Sequence, residues 1–105
     1  MMRRIAVTGA GGFIGGALAL RIDREAGFGA VRIVRGDFSR GLLPEKLAGC
    51  EAVVHLAGES RSADPEALFR TNLALTEQVA AAVRKTPGIR RFFWYTTCFT
   101  TTEPT

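Results

Sequence analysis

The chain has 105 residues, 47% of them apolar, and a formal net charge of +4. That length suits one domain with a modest core, burying roughly 60–70% of the surface of its unfolded chain. Two cysteines, Cys50 and Cys98, and a single histidine, His55, leave zinc or haem without a ligand set, so no metal is expected.

Arg3 and Arg4, followed by an uncharged stretch from Ile5 to Leu20, mimic a secretory signal. The glycine clusters in that stretch interrupt the continuous apolar helix such a signal needs. The next uncharged stretch is too short to cross a bilayer. The cysteines read as free thiols in a reducing compartment. The expectation is a cytoplasmic protein with no membrane partner. Seven arginines fall among the first 40 residues, but they are interleaved with acids. No nucleic-acid partner is expected, and the basic balance equally suits an anionic small ligand such as a phosphate ester.

In chain order, Arg4 to Thr8 reads as a short buried strand, and Gly9 to Gly12 as a turn. From Phe13 a helical stripe runs through Ile14, Leu18 and Ile22, closed by Gly27 and Gly29. Ala30 to Val34 is a second strand, ending at Arg35-Gly36-Asp37. Leu42 to Ala48 is a short helix with Pro44 in its first turn. Glu51 to Ala57 is a third strand, apolar enough for burial on both faces, and Gly58 to Ala63 a loop. Asp64-Pro65-Glu66 starts a helix as cap, first helical residue and dipole-matched acid. That helix runs to about Lys85 with a stripe of Leu68, Leu75, Val79 and Val83. Asn72 falls on the same stripe and needs a hydrogen-bond partner there. Arg91 to Thr97 is a fourth strand. Strands alternating with helices predict an α/β fold, a Rossmann-like doubly wound parallel sheet truncated to about four strands.

Val7 to Gly16 holds five glycines in ten residues. Gly9, Gly12 and Gly15 form G-x-x-G-x-x-G between a strand and a helix. The first glycine allows a sharp turn, the second a close approach of backbone to a pyrophosphate, the third tight packing of helix on strand. The helix then aims its free N–H groups and positive end at the phosphates. No Gly-Lys-Ser/Thr follows, which excludes a P-loop.

The segment Thr8 to Gly15, TGAGGFIG, resembles the signature of the extended short-chain dehydrogenase/reductase family, the sugar-nucleotide epimerases, dehydratases and reductases. Val53 to Gly58, VVHLAG, resembles that family's VxHLAG strand end, which passes beneath the nicotinamide half of the cofactor. Asn72, in TNLALT, resembles the asparagine of its N-x-x-x-T helix motif. Arg91 to Thr97 resembles the strand that ends in its Ser-Ser or Ser-Thr pair. The likeness covers nearly the whole chain up to Thr97, although most members place another helix and strand between the second and third strands seen here. HLAGESR, His55 to Arg61, further resembles segments of capsular polysaccharide reductases of the family. The resemblance implies a dinucleotide cofactor held by Gly9, Gly12, Phe13, Ile14, Gly15, Arg35, Asp37, Leu56, Ala57, Gly58 and Asn72.

A carboxylate after the second strand suits a ribose diol, and an arginine suits a 2′-phosphate. This chain has both, Asp37 and Arg35, so NAD and NADP stay open. Arg35 with nearby Arg40 tilts the expectation to NADP. Gly36-Asp37-Phe38 resembles the family's G-D-φ loop at the adenine. Family chemistry is hydride transfer, with a Tyr-x-x-x-Lys pair as acid/base and a hydroxyl steadying the reacting oxygen. Thr97 takes the hydroxyl position. The pair itself is not in these residues, since Tyr95 is the sole tyrosine and Phe99 stands four residues on.

Residues 1–105 are therefore expected to be the NAD(P)-binding portion of a nucleotide-sugar enzyme whose catalytic helix and substrate lobe lie elsewhere, with a homodimer as its assembly. The alternatives are a non-catalytic dinucleotide-binding or sensing module, and an inactive remnant with an exposed apolar edge strand. His55, without a partner carboxylate or nucleophile nearby in sequence, is expected to be a hydrogen-bonded core residue.

Overall fold

The computed structural model describes residues 2–58 and 63–94. Strand β1 (Arg3–Thr8) leads through the glycine turn to helix α1 (Phe13–Asp23), followed by β2 (Phe28–Ile33). Two short helices come next, α2 (Arg35–Ser39) and α3 (Leu43–Leu47), then β3 (Ala52–His55), the long helix α4 (Pro65–Arg84) and β4 (Arg91–Trp94). The four strands form one parallel sheet in the order β2-β1-β3-β4. The chain thus runs from β1 to one side, then jumps over β1 to build the other side. With right-handed crossovers this sends α1 across one face of the sheet and α3 and α4 across the other.

The α3–α4 face holds the larger side chains. Ala6, Ile33 and Val53 from the strands pack with Phe38, Leu43, Leu47, Val79 and Ala82 from the helices. Full burial of each large aliphatic among them contributes about 1.5–3 kcal/mol. Val7 points the opposite way and is also fully buried. Gln78 Nε2 donates to the Phe38 carbonyl at 2.9 Å and ties α4 to α2. At the N-terminal edge of the sheet, Arg3 grips Glu51 through Nε at 3.1 Å and Nη2 at 2.6 Å, and its guanidinium lies 5.0 Å from the Phe28 ring centre. The Glu51 hydrogen bond raises Arg3 above the usual guanidinium value and holds the Glu51 carboxyl below its own.

The elements follow the predicted order, but β2 starts at Phe28 and takes in Gly29, expected to close the first helix, β3 ends at His55 and not Ala57, and two further readings differ. Helix α1 buries Gly15 and Ala19, with Leu18 and Ile22 of the expected stripe half-buried on the same face, whereas Ile14 is 59% exposed and falls off it. At the start of this face a Cβ on Gly15 would meet the Gly9 carbonyl, so that position takes glycine. Arg35-Gly36-Asp37, expected as a strand end, instead opens α2. Val34 stands in the N-cap position without a side-chain acceptor, and Asp37 Oδ2 supplies one, accepting from Val34 N–H at 2.8 Å. The last predicted strand residues, 95–97, lie outside the described residues. Among the described residues, no helix is long and apolar enough to cross a membrane.

Candidate functional site

The parallel register sets Thr8, the last residue of β1, between Ile33 of β2 and His55 of β3. The three strands therefore release their chains at one level, where the strand order reverses, and in such sheets a crevice opens at that point. A cleft of about 250 Å³ lies there, with Gly9, Gly11, Gly12, Arg35, Phe38, Leu56, Ala57, Gly58 and Leu75 around it.

The glycine turn forms one wall. Gly9 takes φ +70°, in the left-handed region, and a Cβ there would stand 2.9 Å from the Ala57 nitrogen. Gly12 N–H donates back to the Gly9 carbonyl at 3.0 Å and closes the turn. A Cβ on Gly15 would fall on the same carbonyl, so α1 rests directly on the turn. The start of α1 has no side-chain cap and no acid in its first turn. Its leading N–H groups, on Phe13, Ile14 and Gly15, keep the positive end of the helix open to an anion. Helix α4 is the contrast within the same chain, since Asp64 accepts from Glu66 N–H at 3.0 Å and Glu66 sits in the first turn.

The opposite wall is the exit of β3, held by buried polar groups. Thr8 Oγ1 accepts from both Leu56 N–H, at 2.9 Å, and Ala57 N–H, at 3.0 Å. It also lies 2.7 Å from His55 Nδ1, and His55 Nε2 is 3.1 Å from Thr76 Oγ1 of α4. Thr8 is fully buried and His55 is 1% exposed. His55 is thus a hydrogen-bonded core residue, and burial pushes it below the ordinary histidine range. Farther along the wall, half-buried Asn72 places its amide oxygen 3.1 Å from where a Cβ on Gly58 would stand. A Cβ there would require Asn72 to give by a few tenths of an ångström.

Of the residues predicted from sequence, Gly9, Gly12, Arg35, Leu56, Ala57 and Gly58 line the cleft, with Gly15 beneath the turn and Asn72 behind Gly58. Phe13 is 93% exposed, so what it and Ile14 bring to the turn is backbone. Asp37 is not among the residues lining the cleft. Its carboxylate is buried in α2 and accepts from Val34 N–H and, at 3.0 Å, from Lys46 Nζ, which also donates to the Arg32 carbonyl at 2.9 Å. Burial opposes ionisation of Asp37, but these donors outweigh it and hold the carboxyl below its usual value. Thr97 lies outside the described residues. Sequence reasoning did not place Gly11 and Leu75 in the cleft, nor Thr8 and Thr76 behind it. A polar residue closing a buried strand beside a glycine turn was the available signal for Thr8.

Fold and cleft together define a doubly wound α/β unit with a glycine turn at its switch point. Residues 5–102 match the NAD dependent epimerase/dehydratase family, and the chain belongs to that family. It is 36% identical over 81 residues to a UDP-2-acetamido-2,6-beta-L-arabino-hexul-4-ose reductase of Pseudomonas aeruginosa, across 77% of this chain and 22% of that protein. A UDP-N-acetylglucosamine 4-epimerase from Bacillus cereus superposes with a TM-score of 0.73 at 27% identity, over 88% of this chain and 37% of that one. A UDP-glucuronic acid 4-epimerase from Bacillus cereus, in complex with NAD, shares the fold with a TM-score of 0.71 at 22% identity, over 87% and 39%. The chain therefore spans about a fifth of the curated relative and under two fifths of these solved structures.

Proposed function

We propose that this chain is the dinucleotide-binding part of an NAD(P)-dependent enzyme that transfers hydride on a nucleotide sugar, as an epimerase, dehydratase or reductase. The observation that carries the reading is the uncapped, acid-free start of α1 resting on a closed glycine turn and facing a cleft at the switch point. The named relatives act on nucleotide sugars. In this reading Gly9, Gly12 and the first N–H groups of α1 receive the pyrophosphate. Leu56, Ala57 and Gly58 form the floor under the nicotinamide, backed by Asn72. The nicotinamide supplies the hydride donor and acceptor. Thr97 would steady the reacting oxygen, and a Tyr-x-x-x-Lys pair is not among residues 1–105. A cytoplasmic location and a homodimer belong to the same reading.

The choice between cofactors falls to NADP. Arg35 lines the cleft, whereas Asp37 does not, and its Oδ2 is engaged by Val34 and Lys46. Titration calorimetry with NADP and NAD tests the assignment. Gly12→Asp adds a side chain and a negative charge beside the phosphates and is expected to abolish binding of both. Arg35→Ala is expected to weaken NADP about tenfold or more, through loss of a charge-assisted contact, and to leave NAD nearly unchanged. Equal affinity of wild type and Gly12→Asp would end the dinucleotide reading, and an Arg35→Ala chain with unaltered NADP affinity would end the NADP preference.

A further inference from the structure

The hydroxyl of Thr8 is used to its limit. A threonine hydroxyl has one proton to donate and two lone pairs to accept with. Both lone pairs are taken by the consecutive N–H groups of Leu56 and Ala57. The 2.7 Å contact to His55 Nδ1 must therefore be Thr8 donating, which requires Nδ1 to be bare. The ring proton then sits on Nε2 and is donated to Thr76 Oγ1. One arrangement of protons satisfies this buried chain of groups, and it needs a neutral imidazole.

We propose that His55 is a positioning residue for the dinucleotide cleft: by taking the Thr8 proton it keeps both Thr8 lone pairs on the Leu56 and Ala57 N–H groups, and so fixes the cleft floor against the glycine turn. The role in binding rests on the dinucleotide reading above, whereas the proton arrangement does not. Leu56 and Ala57 line the cleft, and the Ala57 nitrogen is the atom closest to the missing Cβ of Gly9. A shift of these two residues therefore moves both walls. Protonation of His55 forces such a shift, because an Nδ1–H would meet an oxygen with no lone pair to spare. Among the described residues no charged group faces the ring. Its surroundings are Thr8 of β1, Thr76 of α4 and the Phe92 ring of β4, 6.4 Å away between centres, and burial alone disfavours its charge. The cleft should accordingly hold its shape at neutral pH and loosen in acid.

His55 is the sole histidine of the chain, so its ring nitrogens give unambiguous signals. Long-range proton–nitrogen spectra of the nucleotide-free chain at neutral pH are expected to show the proton on Nε2, and a proton on Nδ1 would overturn the proposal. NADP affinity is then measured from about pH 7.5 down to the lowest pH at which circular dichroism shows the chain folded, because burial holds His55 below the ordinary histidine range. Wild type is expected to weaken by about tenfold toward the acid end, the equivalent of one lost hydrogen bond. His55→Asn retains an acceptor for the Thr8 proton but cannot titrate. Its profile should show the ligand's own 2′-phosphate titration and nothing more, so the difference between the two proteins isolates the histidine. Thr8→Ser should bind as wild type within about threefold, and Thr8→Val should weaken NADP about tenfold at every pH while its circular dichroism is unchanged. Coincident profiles for wild type and His55→Asn, or full affinity in Thr8→Val, overturn the positioning role. A chain with its proton on Nε2 that binds neither NADP nor NAD sinks the dinucleotide reading instead, and the cleft role with it.

Discussion

A methyl group at position 15 would land on the carbonyl of Gly9, and that single collision explains much of the site. It makes Gly15 different in kind from Gly12, where a Cβ would stand 3.3 Å from the same oxygen. Gly15→Ala must push α1 off the turn, and is expected to destabilise the chain by about 1–3 kcal/mol, the usual range for overpacking. Gly12→Ala needs only a few tenths of an ångström of give and should cost clearly less. Chemical denaturation of the two variants checks the order, and an equal or reversed loss would mean that α1 does not sit where described. The third glycine of the spacing was legible in sequence as a packing glycine, and Gly9 as the sharp turn. What could not be read was the hydroxyl network of Thr8 and Thr76, because hydrogen bonds between residues 47 and 21 positions apart leave no local pattern.

At the scale of the element, α2 shows how a helix of five residues can be held by one side chain. Its N-cap, Val34, offers no acceptor, so Asp37 reaches back to the Val34 N–H and is steadied by Lys46 from α3. Asp37→Ala removes that cap and is expected to destabilise the chain by about 1–2 kcal/mol at neutral pH. The sign of the pH dependence follows from the depressed carboxyl. The native state holds Asp37 ionised below the unfolded value of 3.8, so its contribution is fully present above that pH and is lost as pH falls through the lower native value. The gap between wild type and Asp37→Ala in denaturant midpoint should therefore stay constant down to about pH 5 and narrow below pH 4. A gap that did not narrow would mean that the carboxylate charge is not what matters.

The same element marks the limit of reading helices from sequence. Asp64-Pro65-Glu66 announced α4 because cap, proline and acid stand in order, and the helix begins at Pro65. Helix α2 has an acid in its first turn, Asp37, but no capping side chain at Val34 and no proline, and Gly36 within it reads as a turn. Helix α1 was found, and of its expected stripe Leu18 and Ile22 are half-buried while Ile14 is exposed. Periodicity follows large apolar residues, whereas the fully buried positions of this helix are Gly15 and Ala19.

For the whole molecule, the two ends of the sheet differ. The N-terminal edge is fastened by Arg3 and Glu51, with Glu51 bound again through its backbone to Arg4 and Arg90. Exposed pairs of this sort contribute little stability, and the cleft lies at the opposite edge. Strand β4 pairs with β3 on one side only among the described residues, and Phe93 and Trp94 are 53% and 63% exposed. Unpaired apolar edges invite pairing with another chain. The 105-residue chain is expected to self-associate in concentrated solution, and Phe93→Lys to reduce that association. Sedimentation velocity decides it, and identical profiles for the two proteins would remove β4 from consideration as the sticky edge.

The crossing of the chain over β1 has one more consequence. Two neighbouring strands that send their continuations to opposite sides of a sheet leave a gap between them by wiring alone. No lining side chain has to be carved to make room there. Arg35, Phe38 or Leu75 could be exchanged to suit a different guest without first having to create the hollow that receives it.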